Sequence, residues 1–338
     1  MPGLYAQWID GWERRLASRD KDRVTRPFEW GLDWLDCDDP VADSYRYVSE
    51  YSRDWAARSE EFFEGSHPSD FEFDGNSLTF TSPLVSHHPE NNRVYAEYFP
   101  APRPRGRAVL VLPQWNAGAD AHAGLCRLLN RCGISALRMT MAYHDRRMPA
   151  GLRRADYHVS SNIGRTIHAS RQSVVDGRAC LDWLEERGYD RLGVLGTSLG
   201  SCISYIIAAH DSRIRAGAFN HVSKYFADVV WTGLATQHVR QGFGDALTQE
   251  MLRECWGVVS PASYLDRVSA REMRSLFVWA RYDSSFLPEY SLQLIEASQA
   301  RGHRVQVACL PCAHYTTGQI PFKFLDAFLL CRFLREHL

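Results

Sequence analysis

The sequence predicts an α/β fold in which a mostly parallel sheet is flanked by helices, and three observations carry that prediction. Predominantly apolar runs recur at 108–112, 135–139, 192–195, 216–219, 276–280 and 305–310, as strands buried on both faces require. Helical patterns with readable ends separate several of these runs. The third run passes through Gly196-Thr197-Ser198-Leu199-Gly200 straight into the apolar stretch 203–209, a strand turning sharply into a helix.

Taken in order, residues 1–75 read as an N-terminal helical arm. Leu4, Trp8, Trp12 and Leu16 recur at helical spacing, and Trp30, Trp34, Tyr47, Tyr51 and Trp55 continue the aromatic supply. An aromatic stripe of this kind needs a surface to cover, so the arm is expected to lie on the main domain, residues 76–338. It is also a candidate surface for a homo-oligomer. Alternation at 78–81 and 93–99 predicts two antiparallel-type strands before the parallel part begins. The helix over 162–187 stops at Gly188, and the one ending at Arg301 stops at Gly302, both as C-terminal caps. Residues 322–338 read as a closing amphipathic helix with Phe324, Leu325, Phe328, Leu329 and Phe333 on its apolar face. Two connections, 142–161 and 223–271, exceed what a parallel sheet needs and start where strands end, so they are expected to form helical lids or pocket walls.

Bulk properties narrow the function. A chain of 338 residues with 45% hydrophobic and 23% charged content is ordinary globular material. Its net charge of −1 supplies no field to recruit nucleic acid. No apolar stretch approaches the roughly 20 residues of a membrane span, and the first residues, from Met1-Pro2 onward, lack the pattern of an export signal. Nine cysteines is an odd number; Cys126, Cys132, Cys180, Cys202, Cys309 and Cys331 lie in apolar segments, where a thiol serves as a small hydrophobe. A cytoplasmic location is expected. The Cys309-Leu310-Pro311-Cys312 motif has no second CxxC and no helix start beside it, and is read as packing.

The chemistry starts at Ser198. At the apex of a GxSxG turn the serine must adopt a strained conformation to project its hydroxyl, and Gly196 and Gly200 remove side chains that would collide with neighbouring backbone. A serine hydroxyl is a poor nucleophile until a base removes its proton, and the base needs an acceptor to hold its tautomer. Those partners should sit at the C-terminal ends of later strands. Asp283 follows the 276–280 run and His314 follows the 305–310 run, giving the chain order Ser198, Asp283, His314. Asp245 and Asp266 are the reserve carboxylates.

With these residues the chain resembles the α/β-hydrolase superfamily over roughly 76–338, and within it looks most like the dienelactone-hydrolase and prolyl-oligopeptidase-like serine hydrolases. The elbow at 196–200, the Arg281-Tyr282-Asp283 strand end and the Cys312-Ala313-His314 loop carry the resemblance. It implies an eight-stranded, mostly parallel sheet and a catalytic role for all three residues. An oxyanion hole should combine the backbone N–H of Leu199 with one from the loop after 108–112, either Trp115 or, second, Gln114. That loop reads Pro-Gln-Trp-Asn-Ala-Gly where many relatives carry His-Gly, so Asn116 is a candidate brace or turn residue.

His221 and Trp231, with Asn116, are further candidates for the substrate pocket. Tyr225, Phe226, Trp231, Phe243 and Trp256 would suit either a lid or the core of a helical excursion. Arg138, Arg146, Arg147, Arg153 and Arg154 could bind an anionic substrate group or form a salt-bridged surface. His87-His88 is an isolated pair; no zinc spacing and no phosphate-cradling glycine loop is present, so neither metal nor cofactor is implied. The expected function is cleavage of a small-molecule carboxylic ester or thioester through an acyl-enzyme. An acyltransferase or peptidase using the same triad, or a non-catalytic binding protein on the same fold, are the alternatives.

Overall fold

Each of the six apolar runs forms a strand, and the six lie side by side in parallel. A computed structural model describes residues 3–37 and 40–338; Met1 and Pro2, where the reading for an export signal begins, lie outside the described residues. The strands are β1 (Glu72–Asp74), β2 (Ser77–Thr81), β3 (Arg93–Phe99), β4 (Arg107–Leu112), β5 (Ser135–Met139), β6 (Arg191–Thr197), β7 (Ile214–Asn220), β8 (Arg274–Ala280) and β9 (Val305–Leu310). They form one sheet in the order β1-β2-β3-β5-β4-β6-β7-β8-β9. Pairing is antiparallel from β1 to β5 through β2 and β3, and parallel thereafter.

The sheet has nine strands where eight were expected. The additional one, β1, spans three residues, too few for alternation to register. It pairs with β2 through the tight turn between Asp74 and Ser77, where Gly75 takes φ +58.

Alternate residues of a strand face opposite sides, and both sides are buried. In β4, Ala108, Leu110 and Leu112 enter one core, Val109 and Val111 the other. The helices are α1 (Leu4–Ala17), α2 (Ser44–Ala57), α3 (Ser59–Phe62), α4 (Ala123–Arg131), α5 (Ile163–Glu186), α6 (Leu199–His210), α7 (Phe226–Thr232), α8 (Gln237–Phe243), α9 (Gln249–Cys255), α10 (Leu265–Ser269), α11 (Pro288–Ala300) and α12 (Phe322–His337). The first core takes side chains from α5, α6 and α11, such as Leu181, Ile206 and Leu294; the second takes Leu129 of α4 and Leu330 and Leu334 of α12. Asn162 caps α5 by accepting from Arg165 N at 2.9 Å, and Gly188 and Gly302 take positive φ just past the helices that precede them.

The structure corrects the buried stripe of α1, the apolar face of α12 and the setting of β9. The arm divides between the two faces: Ile9 of α1 joins the second core, while Val48, Phe62 and Phe63 join the first. Its buried stripe on α1 is Ile9, Glu13, Leu16 and Ala17, so Leu4 and Trp8 are exposed. In α12, Phe324, Leu325 and Phe328 are exposed as well, because the face turned to the body carries Phe322, Leu330, Phe333 and Leu334 instead. The β9 run is the sheet's edge rather than a doubly buried strand; Val307 and Cys309 face outward, while Cys312 beyond it is buried.

The first insert, 142–161, contains only a single 3-10 turn, Asp145–Arg147, and is not helical. The second carries α7 to α10, and its aromatics form a core: Phe226 and Phe243 lie 5.3 and 6.0 Å from Trp256, which is fully buried. Among the described residues no helix is long and apolar enough to cross a membrane.

Candidate active site

Ser198 joins β6 to α6 with φ 57 and ψ −122, a conformation costing on the order of 1–3 kcal/mol for a residue with a side chain. The surroundings hold it there. Ser198 N donates to Asn220 O at 2.8 Å, and Ser201 Oγ donates to Ser198 O at 2.6 Å. A Cβ on Gly196 would run into the backbone of Gly200, and one on Gly200 into the carbonyls of Leu112 and Pro113. The two glycines are what allow strand, turn and helix to pack this closely.

Ser198 Oγ lies 3.1 Å from His314 Nε2, and His314 Nδ1 lies 3.0 Å from Asp283 Oδ2. His314 stacks on Phe286, with ring centroids 5.3 Å apart and planes 1° from parallel. Asp283 is buried, and its Oδ1 accepts from Ser285 N and Phe286 N at 2.8 and 2.7 Å. Burial works against its charge, but His314 and His221 outweigh it and hold the carboxyl well below its usual range. Burial likewise pulls His314 down, and the charge of Asp283, its hydrogen bond and then Glu13 outweigh that, leaving the imidazole above its ordinary value. With Nδ1–H donated to a carboxylate, Nε2 is left as the acceptor facing the serine.

His221 ends β7 and is also brought to Asp283: its Nδ1 lies 2.8 Å from the same Oδ2. Burial, opposed by Asp283, keeps its imidazole below the ordinary value. His221, Asp283 and His314 present ligand-type atoms within 4.8 Å of one another, but the two Nδ1 atoms and the carboxylate are already spent on each other as hydrogen bonds.

A cavity of about 800 Å³ opens over Ser198, and Gln114, Trp115, Asn116, Leu199 and His221 line it. Leu199 is the first residue of α6, so its N–H belongs to the turn that has no intrahelical acceptor. Asn116 acts as a brace: its Oδ1 accepts from Ala155 N at 2.7 Å, and Trp115 Nε1 donates to Ala155 O at 2.9 Å. One residue of the first insert thus ties down the loop that lacks His-Gly. Trp231 does not line the cavity; it stacks against Phe243 and lies under Arg240 on the far side of α7.

Of the arginines, Arg147 is buried against Asp176 at 2.8 Å and Arg138 pairs with Glu97 at 3.2 Å. Arg154 does line the cavity, with its guanidinium paired to Asp22 at 3.0 Å. Asp266 pairs with Arg301 on the surface, away from Ser198.

Sequence reading passed over two groups. Glu13 of α1, fully buried, accepts from Tyr315 N at 2.9 Å and Thr316 N at 3.1 Å, directly after His314. Its signal was present: a charged residue at helical spacing with Ile9 and Leu16 on the buried face. Asp326 of α12 lines the cavity, accepts from Asn220 Nδ2 at 2.9 Å, and is pushed by burial up to about 7. Nothing in the sequence marks Asp326, because the pairing joins a strand end to a helix 106 residues later.

No family model matches the chain, and no curated protein matches it. Solved structures do. An acylaminoacyl peptidase from Pyrococcus horikoshii aligns with TM-score 0.59 at 14% identity, over 80% of this chain and 42% of that one. This chain therefore spans less than half the length of that peptidase. Acetyl xylan esterase 1 from Thermoanaerobacterium sp. JW/SL YS485 aligns with TM-score 0.59 at 15% identity over 96% of this chain and 98% of that one. The acetyl xylan esterase from Paenibacillus sp. R4 gives TM-score 0.60 at 13% identity over 91% and 99%. At such identities the likeness speaks for architecture alone, and with the strand order and the turn at Ser198 it establishes that this chain has the α/β-hydrolase fold.

Proposed function

We propose that the protein is a serine hydrolase that cleaves a small-molecule carboxylic ester or thioester. The observation that carries the reading is the continuous hydrogen-bonded path from Ser198 Oγ through His314 to Asp283. Ser198 Oγ attacks the acyl carbon as its proton passes to His314 Nε2. The C–O or C–S bond to the leaving group then breaks, and the same proton goes to the departing oxygen or sulfur. Water, deprotonated by His314, attacks the acyl-enzyme and releases the acid and free Ser198. Asp283 holds the tautomer and stabilises the imidazolium. The N–H groups of Leu199 and Trp115, with Gln114 second, are assigned to the tetrahedral oxyanion. Val159, Phe226, Val229 and Phe286 give the cavity an apolar wall suited to an acyl chain. Cys126, Cys180, Cys202, Cys255, Cys312 and Cys331 are buried thiols within apolar packing, which supports a reducing compartment such as the cytoplasm.

A fluorophosphonate probe tests the reading, with the adduct mapped by mass spectrometry. Labelling at Ser198 that is lost in Ser198→Ala and in His314→Ala is expected. A folded protein that shows no labelling, or labels equally well without His314, would overturn it.

A further inference from the structure

The base loop has no counterpart of the glycine-framed elbow. It leaves edge strand β9, turns through Pro311 to Thr317 and must hold an imidazole within hydrogen-bond reach of two groups on other elements. What lies against it is α1, some three hundred residues earlier in the chain. Glu13 projects from the buried stripe of α1, and each of its carboxylate oxygens takes one of the two consecutive backbone N–H groups that follow His314: Tyr315 N to Oε1 at 2.9 Å and Thr316 N to Oε2 at 3.1 Å. Ser284, next to Asp283, places its Oγ 3.5 Å from the same Oε1. The flanking contacts repeat the pattern: Tyr5 Oη donates to Pro311 O at 2.5 Å, and Arg23 donates to Tyr315 Oη at 2.9 Å.

We infer that Glu13 is a positioning residue for His314, so that the N-terminal helix completes the active site rather than merely covering the domain. The inference rests on the serine-hydrolase reading. Two convergent N–H groups form a small anion-binding concavity, and a carboxylate filling it fixes the peptide planes beside His314 and hence the direction of its ring. Burial pushes the Glu13 carboxyl up, and the N–H of Tyr315, His314 and the N–H of Thr316 work against that; as a carboxylate it also stabilises the imidazolium that forms when Ser198 gives up its proton. The charged and titratable groups in contact with His314 or its loop are the Asp283 carboxylate, the His221 imidazole and the Glu13 carboxylate; Asp326 and Lys323 of α12 and Arg154 of the first insert line the same cavity, and on its own loop Tyr315 points its hydroxyl at Arg23 and Asp20.

The test is the pH dependence of fluorophosphonate labelling at Ser198 in wild type, Glu13→Gln, Glu13→Asp and Arg14→Ala, each checked for folding by thermal melt. Glu13→Gln keeps the shape but faces an N–H with an N–H. Labelling slower by about ten- to a hundredfold is expected, the scale of a small misplacement of a catalytic group. Its acidic midpoint should move to lower pH, since His314 loses a negative neighbour. Glu13→Asp withdraws the charge by one methylene without removing it; slower labelling at an unchanged midpoint is expected. Arg14, exposed on α1 and paired with Asp10, should give wild-type behaviour. Wild-type rate and midpoint in Glu13→Gln, or a smaller labelled fraction with the midpoint unmoved, would overturn the role of Glu13 and leave the hydrolase reading standing. Should Glu13→Gln not fold, a wild-type rate in Glu13→Asp overturns it instead. Failure of the wild type itself to label would remove the hydrolase reading, and this one with it.

Discussion

The serine and its base are held by opposite strategies. Around Ser198 the constraint is local: two glycines within two residues, a strained φ, and hydrogen bonds from the adjoining strand and helix. Around His314 it is remote: an edge strand, a stacked Phe286, and a carboxylate delivered from α1. The difference teaches where each half of the site is vulnerable. A locally built element depends on backbone geometry and fails sterically, whereas a remotely braced one depends on electrostatics and on the docking of another segment.

The largest expected effect falls between the two, at the carboxylate. Asp283→Asn should fold yet lower kcat by about 10⁴-fold, because an amide cannot hold the same tautomer or stabilise the imidazolium. Steady-state hydrolysis of an activated ester measures it, and a loss below tenfold would remove Asp283 from the mechanism. On the elbow side, Gly200→Ala forces a Cβ into the carbonyls of Leu112 and Pro113. A destabilisation of about 3 kcal/mol is expected from denaturant midpoints. A near-neutral result would mean that the elbow is not the sterically closed element described here.

On the base side, pH is the sharper tool. His314 is held above its ordinary value, so activity should fall about tenfold per unit below a midpoint above roughly 6.5. Its contribution to stability runs the other way: a raised pKa favours the folded state where the group is protonated, fully below about 6.5, and that contribution is lost as pH rises through the folded value. Thermal melts and activity profiles over the same range should therefore move in opposite directions from this group. Smallest of all, Gly11→Ala on the exposed side of α1, where a Cβ meets nothing, should stabilise that helix by about 0.8 kcal/mol. Hydrogen exchange across 311–316 should slow along with exchange in α1 if the helix is what braces the loop.

Legibility of the fold followed periodicity. The runs that became β4 to β8 could be read because a doubly buried strand leaves little room for polar residues on either face, Arg138 of β5 being paired with Glu97. β1 was too short to show a pattern, and β9, though apolar enough to resemble the others, sits at the edge. In α1 and α12 the helices formed as expected, but the face each turns to the body was not the one the apolar spacing suggested: Ile9, Glu13 and Leu16 in α1, and Phe322, Leu330 and Phe333 in α12, are buried, which left Leu4, Trp8, Phe324 and Phe328 outside. Trp231 failed as a pocket residue for a related reason: the helical insert carries its own core, and aromatics in it have partners other than substrate.

What the sequence by itself determined is whatever depends on neighbours along the chain. The turn at Ser198, with glycines two residues to either side, and the caps at Gly188 and Gly302 are local sterics, so their residues are dictated within a few positions. The strand ends carrying Asp283 and His314 were placed by the same local periodicity. Only the tertiary structure decided that a carboxylate at position 13 would meet the amides after His314, that His221 would share Asp283, and that Asn116 would be tied to Ala155. Each of these joins segments distant in sequence. A hydrogen bond between such segments needs only a donor and an acceptor brought together by packing, and that imposes no spacing a sequence could display.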